Sequence, residues 1–285
     1  MKRLKIAIQK SGRLHEASLQ MLAKAGIRVD NGNDRLKVAV KNFPIEILYL
    51  RNGDIPHYLA DGTIDAAIIG ENVLIEQDLQ QSIVQRLNFS KCRLSIAIPN
   101  ELTYNGIKSL EGKKIATSYP KTVHNFLTQK NIKAELHQLN GSVEIAPNMG
   151  MADAIVDIVS TGNTLFKNNL KEVEQVLTSE AVLSISPKLS PKLQDIVEKL
   201  LFRLRAVLQA KNTKYILLNA PNDKVPLIIN DLPGMKSPTV LPLAEKGWSS
   251  IHSVIHEETF WEVIDQLKKK GAEGILICPI EKMVL

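Results

Sequence analysis

Short apolar runs alternate with amphipathic stretches along the chain, and the spacing of the apolar positions predicts an element for each. Leu4 to Ile8 reads as a strand. Leu14 to Ala25 reads as a helix, with Leu14, Ala17, Leu22 and Ala25 near helical spacing, and Lys37 to Val40 and Ile45 to Tyr49 as further strands. Asp61-Gly62 marks a turn, after which Ala66 to Ile69 forms a strand that stops at Gly70. Beyond Lys211-Asn212 the pattern restarts. Tyr215 to Leu218, Thr239 to Leu243, Ser250 to His256 and Gly274 to Pro279 read as strands, Leu232-Pro-Gly234 as a turn and Thr259 to Lys270 as a helix. Such alternation predicts an α/β architecture with ligands at the carboxyl ends of strands, and the last stretch suits a small ferredoxin-like α+β module.

A faint internal echo refines this. Ser90-Lys-Cys-Arg-Leu-Ser-Ile96 matches Ser179-Glu-Ala-Val-Leu-Ser-Ile185 at Ser, Leu, Ser and Ile, and Asp65-Ala66 leading to Gly70-Glu-Asn72 resembles Asp153-Ala154 leading to Gly162-Asn163. The echo predicts two similar lobes joined by two crossing strands, with the ligand cleft between them. The first lobe would be discontinuous, residues 1–90 and 180–210, the second would span 91–179, and a C-terminal domain would cover 215–285.

Composition changes the picture little. The chain has 285 residues, 44% of them hydrophobic, enough for ordinary cores, and a net charge of +6 spread through most segments. The densest basic run, Lys268 to Lys270, suits the solvated last turn of a helix. A mildly basic balance fits a polyanionic small molecule, and without zinc-finger spacing, an RNP motif or a helix-turn-helix, nucleic acid is not an expected partner. Cys92 and Cys278 read as free, buried thiols rather than a disulfide framework or a zinc site. The N-terminal apolar run is too short for a signal peptide, and no stretch approaches the roughly 18 apolar residues of a membrane span. A cytoplasmic protein with no membrane partner is expected.

The chemistry concentrates in Asp153 to Leu165, D-A-I-V-D-I-V-S-T-G-N-T-L. A core strand followed by a turn and a helix cap is the simplest account. The alternative is a phosphate cradle, in which Ser160, Thr161, Gly162, Asn163 and Thr164 offer backbone N–H groups and three hydroxyls to an anion, at the positive end of a helix beginning near Leu165. The lysine and glycine spacing of a Walker A loop are missing. Asp153 and Asp157 are four apart, so if both lie in one strand they share a face, where they would accept from ribose hydroxyls or hold magnesium on a pyrophosphate. Lys10 and Arg13, in Gln9-Lys-Ser-Gly-Arg13 after the first strand, present cations where a polyphosphate would be welcome. Glu144 in Gly141-Ser-Val-Glu-Ile-Ala-Pro147 is either on a strand's polar face or aimed into the cleft. The six histidines show no metal spacing, and no Ser/His/Asp or Cys/His set stands out.

Seven motifs in order, Gln9-Lys-Ser-Gly-Arg-Leu14, Gly70-Glu-Asn-Val-Leu74, Ala116-Thr-Ser-Tyr-Pro120, Gly141 to Pro147, Asp153 to Leu165, Leu241-Pro-Leu243 and Pro279-Ile-Glu-Lys-Met283, together resemble the ATP phosphoribosyltransferase family in its long form, over nearly the whole chain. The resemblance implies a type II periplasmic-binding-protein-like pair of lobes plus a regulatory domain. It also implies a reaction in which adenine N1 of ATP displaces pyrophosphate from phosphoribosyl pyrophosphate, the first step of histidine biosynthesis. By resemblance, Ser160 to Thr164 hold the sugar 5-phosphate, Asp157 the ribose hydroxyls, and Asp153 and Glu144 the sugar or Mg2+. Lys10 and Arg13 fall to the leaving pyrophosphate or ATP phosphates, and Gly70, Glu71 and Asn72 to the facing wall for ATP. Histidine would bind near Asp223, Ser237, Thr239 and Leu241 and shift a dimer toward an inhibited hexamer. Asn148 departs from the pattern, since a basic residue often stands there, which removes a cation from that turn. The rival readings are a small-molecule-binding two-lobed protein and an inactive regulatory subunit.

Overall fold

A computed structural model describes residues 2–30, 36–232 and 237–284; the predicted turn lies outside the described residues from Pro233 onward. The chain divides into two compact units, residues 1–23 with 27–198, and 24–26 with 199–285, the main division falling inside one helix.

The first unit holds two sheets. Strands β1 (Leu4–Gln9), β2 (Lys37–Ala39), β3 (Ile45–Leu50), β4 (Ala66–Gly70) and β5 (Ile83–Arg86) join β11 (Ala181–Ile185) in the order β2-β3-β1-β4-β11-β5. Strands β6 (Cys92–Pro99), β7 (Lys114–Thr117), β8 (Glu135–Gln138), β9 (Ala154–Val159) and β10 (Leu170–Ser179) form the second sheet, β10-β6-β9-β7-β8. The second sheet repeats the first from β3 to β5. In each, a first strand (β1 or β7) pairs in parallel with two others, and the strand entering from the other lobe (β11 or β6) runs antiparallel. Apolar Leu4, Ile6, Ala7 and Ile8 of β1 are buried, as a parallel strand covered on both faces requires. Helices α1 (Arg13–Lys24), α2 (Ile55–Asp61) and α3 (Glu71–Glu76) belong to the first lobe and α4 (Pro120–Gln129) and α5 (Asn163–Lys167) to the second.

The echo of Asp65 and Asp153 has a physical basis in this repeat. The Asp65 carboxylate accepts from the Lys5 N–H at 2.8 Å while its own N–H donates to the Lys5 carbonyl at 3.0 Å. Asp153 makes the same pair with Lys114, at 2.9 and 2.8 Å. Each aspartate starts a ladder by satisfying the first free amide of the neighbouring parallel strand. Asp153 therefore stands before β9, at its amino end, and not in the strand with Asp157.

Where the chain crosses between lobes, the links pair with each other: the Leu87 N–H donates to the Ala181 carbonyl and the Ala181 N–H to the Phe89 carbonyl, at 2.9 and 3.0 Å. Glu71 is buried there and takes a bidentate pair from Arg86 at 2.5 Å, and Arg86 also approaches Glu180 at 3.6 Å. A second contact joins the lobes further out. Helix α4 has no capping side chain of its own, and the carboxylate of Glu76, in α3 of the other lobe, accepts from the Lys121 and Thr122 N–H groups at 2.9 Å and from the Thr122 hydroxyl at 2.6 Å.

The second unit contains most of α6 (Gln194–Ala210), β12 (Thr213–Pro221), α7 (Val225–Asp231), β13 (Thr239–Pro242), β14 (Trp248–His256), α8 (Glu257–Lys269) and β15 (Glu273–Pro279). The antiparallel order β13-β14-β12-β15 is the ferredoxin-like arrangement, with Ile216, Leu218, Ile251, Ile255, Phe260 and Leu267 in its core. Cys278, expected to be buried, is exposed, because β15 is an edge strand with most of its residues in solvent; Cys92 is half-buried.

Asp65→Ala and Asp153→Ala should each lower unfolding stability by about 1–2 kcal/mol, the usual cost of orphaning an amide held by a charged acceptor. Because they sit in separate sheets, the double variant should lose the sum within about 0.5 kcal/mol. Urea denaturation measures this, and an unchanged midpoint for Asp153→Ala would show the clamp to be idle.

Candidate active site

The site grows from the carboxyl end of β9. Ile155, Asp157 and Val159 alternate onto one face of the strand, where Ile155 and Val159 pack with Ala97, Ala116, Val143, Ala146 and Leu165. Two alanines on the neighbouring strands, Ala97 and Ala116, keep that face shallow, and Asp157 is the acid that β9 contributes to it. The chain then turns through Ser160 and Thr161 into Gly162, whose φ of +80° lies in the left-handed region that glycine enters without strain. Helix α5 begins at Asn163, earlier than Leu165, and is only five residues long. The donors available to an anion are therefore the loop's own N–H groups and hydroxyls.

These residues line a cavity of about 470 Å³ formed by Arg13, Glu144, the run from Asp157 to Leu165, and Lys167. Arg13 comes from the first turn of α1 in the other lobe, so both lobes contribute. Glu144 sits on a 3₁₀ turn, Val143–Ile145, and not on a strand; Val143 and Ala146, three apart, bury one side of it and leave Glu144 on the other. Burial pushes the Asp157 carboxyl above the usual carboxylate range, the Ile158 N–H draws it partly back, and the nearby Glu144 charge raises it further. Tyr119 is held higher than an ordinary phenol, first by burial and then by the Asp157 charge. Its hydroxyl accepts from Asn72 Nδ2 at 3.0 Å.

The structure thus brings together Arg13, Glu144, Asp157, Ser160, Thr161, Gly162, Asn163 and Thr164. Lys10 does not line the cavity; its side chain is exposed and its N–H donates to the Leu50 carbonyl at 2.8 Å. Asp153 is also absent from the lining, being engaged with Lys114 and near Lys113 at 3.8 Å. Gly70, Glu71 and Asn72 lie outside this lining, at the crossing. Glu71 pairs with Arg86, Asn72 exchanges hydrogen bonds with the Ser179 hydroxyl at 3.0 and 2.8 Å, and a Cβ on Gly70 would lie 2.5 Å from Asn72 Oδ1. Two residues escaped the sequence reading. Lys167 shares a face of α5 with Asn163, four residues before it, and Tyr119 lies in the quoted Thr-Ser-Tyr-Pro motif, where only its hydroxyl marked it.

In the C-terminal unit, Thr239 and Leu241 lie on edge strand β13 opposite His252 and Ser250 of β14, and Ser237 precedes that strand. His252 bridges the Tyr215 and Ser250 hydroxyls at 2.7 and 3.0 Å. Asp223 follows Asn222, whose side-chain oxygen accepts from the Ser249 hydroxyl at 2.7 Å, and its carboxylate is largely exposed.

Comparison with known proteins fits this geometry. The family model described as ATP phosphoribosyltransferase matches residues 51–206, and the one described as the HisG C-terminal domain matches residues 210–282. The chain belongs to the ATP phosphoribosyltransferase family. It is 52% identical to the ATP phosphoribosyltransferase of Cytophaga hutchinsonii over 99% of this chain and 98% of that protein. It is 50% identical to that of Bacteroides thetaiotaomicron over 99% of this chain and all of the relative. Among solved structures, the ATP phosphoribosyl transferase (HisG:HisZ) complex from Thermotoga maritima superposes with a TM-score of 0.61 at 30% identity, covering 72% of this chain and 98% of that one. An ancestral arginine-binding protein, at 12% identity and a TM-score of 0.50, shares the two-lobed fold. Both domains of the long form are thus present in this family member.

Because folding raises the Asp157 pKa, the native state disfavours the ionised carboxylate, and this costs stability at every pH above the raised value. Asp157→Asn should therefore melt higher than the native protein at neutral pH. The gain should shrink as pH falls through the raised value and vanish below the ordinary carboxylate pKa of about 3.9. Calorimetry across that range checks the sign; a variant that melts lower at neutral pH would contradict it.

Proposed function

We propose that the cavity at the end of β9 is where this enzyme joins its two substrates. The family's reaction forms a bond between adenine N1 of ATP and the anomeric carbon of phosphoribosyl pyrophosphate and breaks the bond from that carbon to pyrophosphate, with inversion. It is the first step of histidine biosynthesis. The observation that carries the assignment is that one continuous run, Asp157 to Leu165, supplies most of the lining, with Arg13 facing it from the other lobe.

Departure of pyrophosphate leaves positive charge on the sugar, so the protein's tasks are to position both substrates and to place charge. Ser160 to Thr164 hold the 5-phosphate through N–H groups and hydroxyls. Asp157 accepts from the ribose hydroxyls and, partly desolvated, faces the developing cation with little screening. Arg13 and Lys167 offset the phosphate charge at the rim. No strong base is required, which agrees with the absence of histidine or cysteine from the lining.

A magnesium ion fits this donor set in the way typical of nucleotide enzymes. No cluster of three or more metal-binding side chains occurs among the described residues, so a protein-only cage is not offered. Two facing carboxylates, Glu144 and Asp157, would supply the one or two protein ligands that Mg2+ takes alongside substrate phosphates. Bound there, the metal would neutralise the leaving pyrophosphate. Asp153, committed to Lys114, is not among the ligands.

We assign the second unit to histidine feedback, with Thr239 and Leu241 on edge strand β13, Ser237 just before it and Asp223 near its far end, and to a dimer that passes to an inhibited hexamer. No described helix is long and apolar enough to cross a membrane, and a biosynthetic role suits the cytoplasm.

Incubation of the protein with ATP, phosphoribosyl pyrophosphate and Mg2+, with pyrophosphatase to draw the reaction forward, should give the phosphoribosyl-ATP absorbance, and added histidine should suppress it. Asp157→Asn should lower kcat by about 100-fold or more with the fold intact; unchanged kinetics would remove Asp157 from the site. Asp223→Ala combined with Thr239→Ala should raise the half-inhibitory histidine concentration about tenfold or more without changing kcat. Inhibition that persists unaltered would move the effector site elsewhere.

A further inference from the structure

Beside the loop, an arginine outside the cavity lining touches the backbone. Arg93 stands on β6 directly opposite Val159, the last residue of β9 before the loop. Its guanidinium makes a two-pronged pair with Glu172 of β10, Nε and Nη2 each at 2.5 Å from a carboxylate oxygen, and the remaining nitrogen, Nη1, donates to the Ser160 carbonyl at 3.3 Å. Arg93 is not part of the cavity lining. We propose that the Arg93–Glu172 pair is a positioning device for the phosphate loop: it fixes the peptide between Ser160 and Thr161 so that the N–H end faces the bound 5-phosphate.

The reasoning starts from the planar trans peptide. The carbonyl of Ser160 and the N–H of Thr161 belong to one unit and point in opposite directions. Holding the oxygen toward Arg93 turns the Thr161 N–H the other way and removes a carbonyl's negative end from the place an anion must occupy. An unpaired arginine at this position would be free to swing into the cavity and compete as an anion ligand itself. Glu172 prevents that by engaging two of its nitrogens in a planar fork, a geometry lysine does not reproduce. The pairing pushes the guanidinium pKa up and the carboxyl down, so both stay charged across the working range.

The internal repeat supplies a second, independent observation. In the echoed heptads Arg93 corresponds to Val182 on β11, the strand that occupies the same place in the other lobe. Val182 is fully buried in an apolar cluster. The two lobes use the same framework, and a charged group replaces the aliphatic one only beside the loop that carries the hydroxyls. Packing alone does not call for that replacement.

This inference rests on the reading that Ser160 to Thr164 bind the 5-phosphate, and steady-state kinetics of the full-length enzyme separate the two. Arg93→Ala should raise KM for phosphoribosyl pyrophosphate about tenfold while KM for ATP stays within about twofold, the loss expected for one charge-assisted contact acting on one substrate. Arg93→Lys, which keeps the charge but not the fork, should fall between Arg93→Ala and the native enzyme. Should Arg93→Ala fail to fold, Glu172→Gln keeps the volume, loosens the fork and should show the same selective rise at smaller amplitude. An unchanged KM for phosphoribosyl pyrophosphate, or equal rises for both substrates, would overturn the positioning role. Alanine replacement of Thr161 and Thr164 together serves as the control: if it too leaves that KM unchanged, the loop assignment fails, and the inference with it.

Discussion

Two sheets share one chain that crosses between them twice, and the crossing forces polar groups into a place where water is scarce. Glu71 opens α3 at that point and is buried to 8% exposure, so its charge needs a partner, which Arg86 supplies. Arg86 itself keeps more than half its side chain in solvent. The pair's worth therefore lies between the roughly 1 kcal/mol or less of a surface ion pair and the 3–5 kcal/mol lost when a fully buried one is broken. Asn72 solves the same problem without charge, exchanging donor and acceptor roles with Ser179. Everything at the cleft depends on these contacts, because they set where β4 and β9 end relative to each other.

Much of the architecture was legible in the sequence. Parallel strands such as β1 are covered on both faces and read as unbroken apolar runs, and the ferredoxin-like strands could be placed from their alternation. Strands such as β10 were harder: LKEVEQVLTS has most of its residues half-exposed and shows no clean period. The faint heptad echo corresponds to two strands in equivalent positions, β6 and β11. Both enter a lobe from a crossing and pair antiparallel with the strand, β4 or β9, that flanks the first parallel strand.

The site was legible where chemistry is carried by a continuous run and obscure where it depends on side-chain direction. Ser160 to Thr164 could be named because a strand, hydroxyls and a glycine follow one another. Asp153 misled because period-two reasoning assumes that both aspartates lie within the strand, whereas β9 begins one residue later and the carboxylate turns back to cap a neighbour. Glu71 and Asn72 show a related limit of spacing: polar residues at a strand's carboxyl end can face a ligand or a crossing, and both of these make their hydrogen bonds at the crossing. Tyr119 and Lys167 needed tertiary structure, since neither stands in a pattern that sets it apart from packing or solvation.

The capping of α4 by Glu76 ties helix integrity to the separation of the lobes. A helix that lacks its own N-cap leaves its first amides bare when the borrowed carboxylate withdraws, a loss typically of about 1 kcal/mol for one cap. Parting the lobes would thus fray the first turn of α4, the turn that follows Tyr119. Cleft opening in this protein is for that reason not a pure rigid-body swing. It carries a local unwinding with it, and the amides of Lys121 and Thr122 become a built-in gauge of how often the two lobes let go.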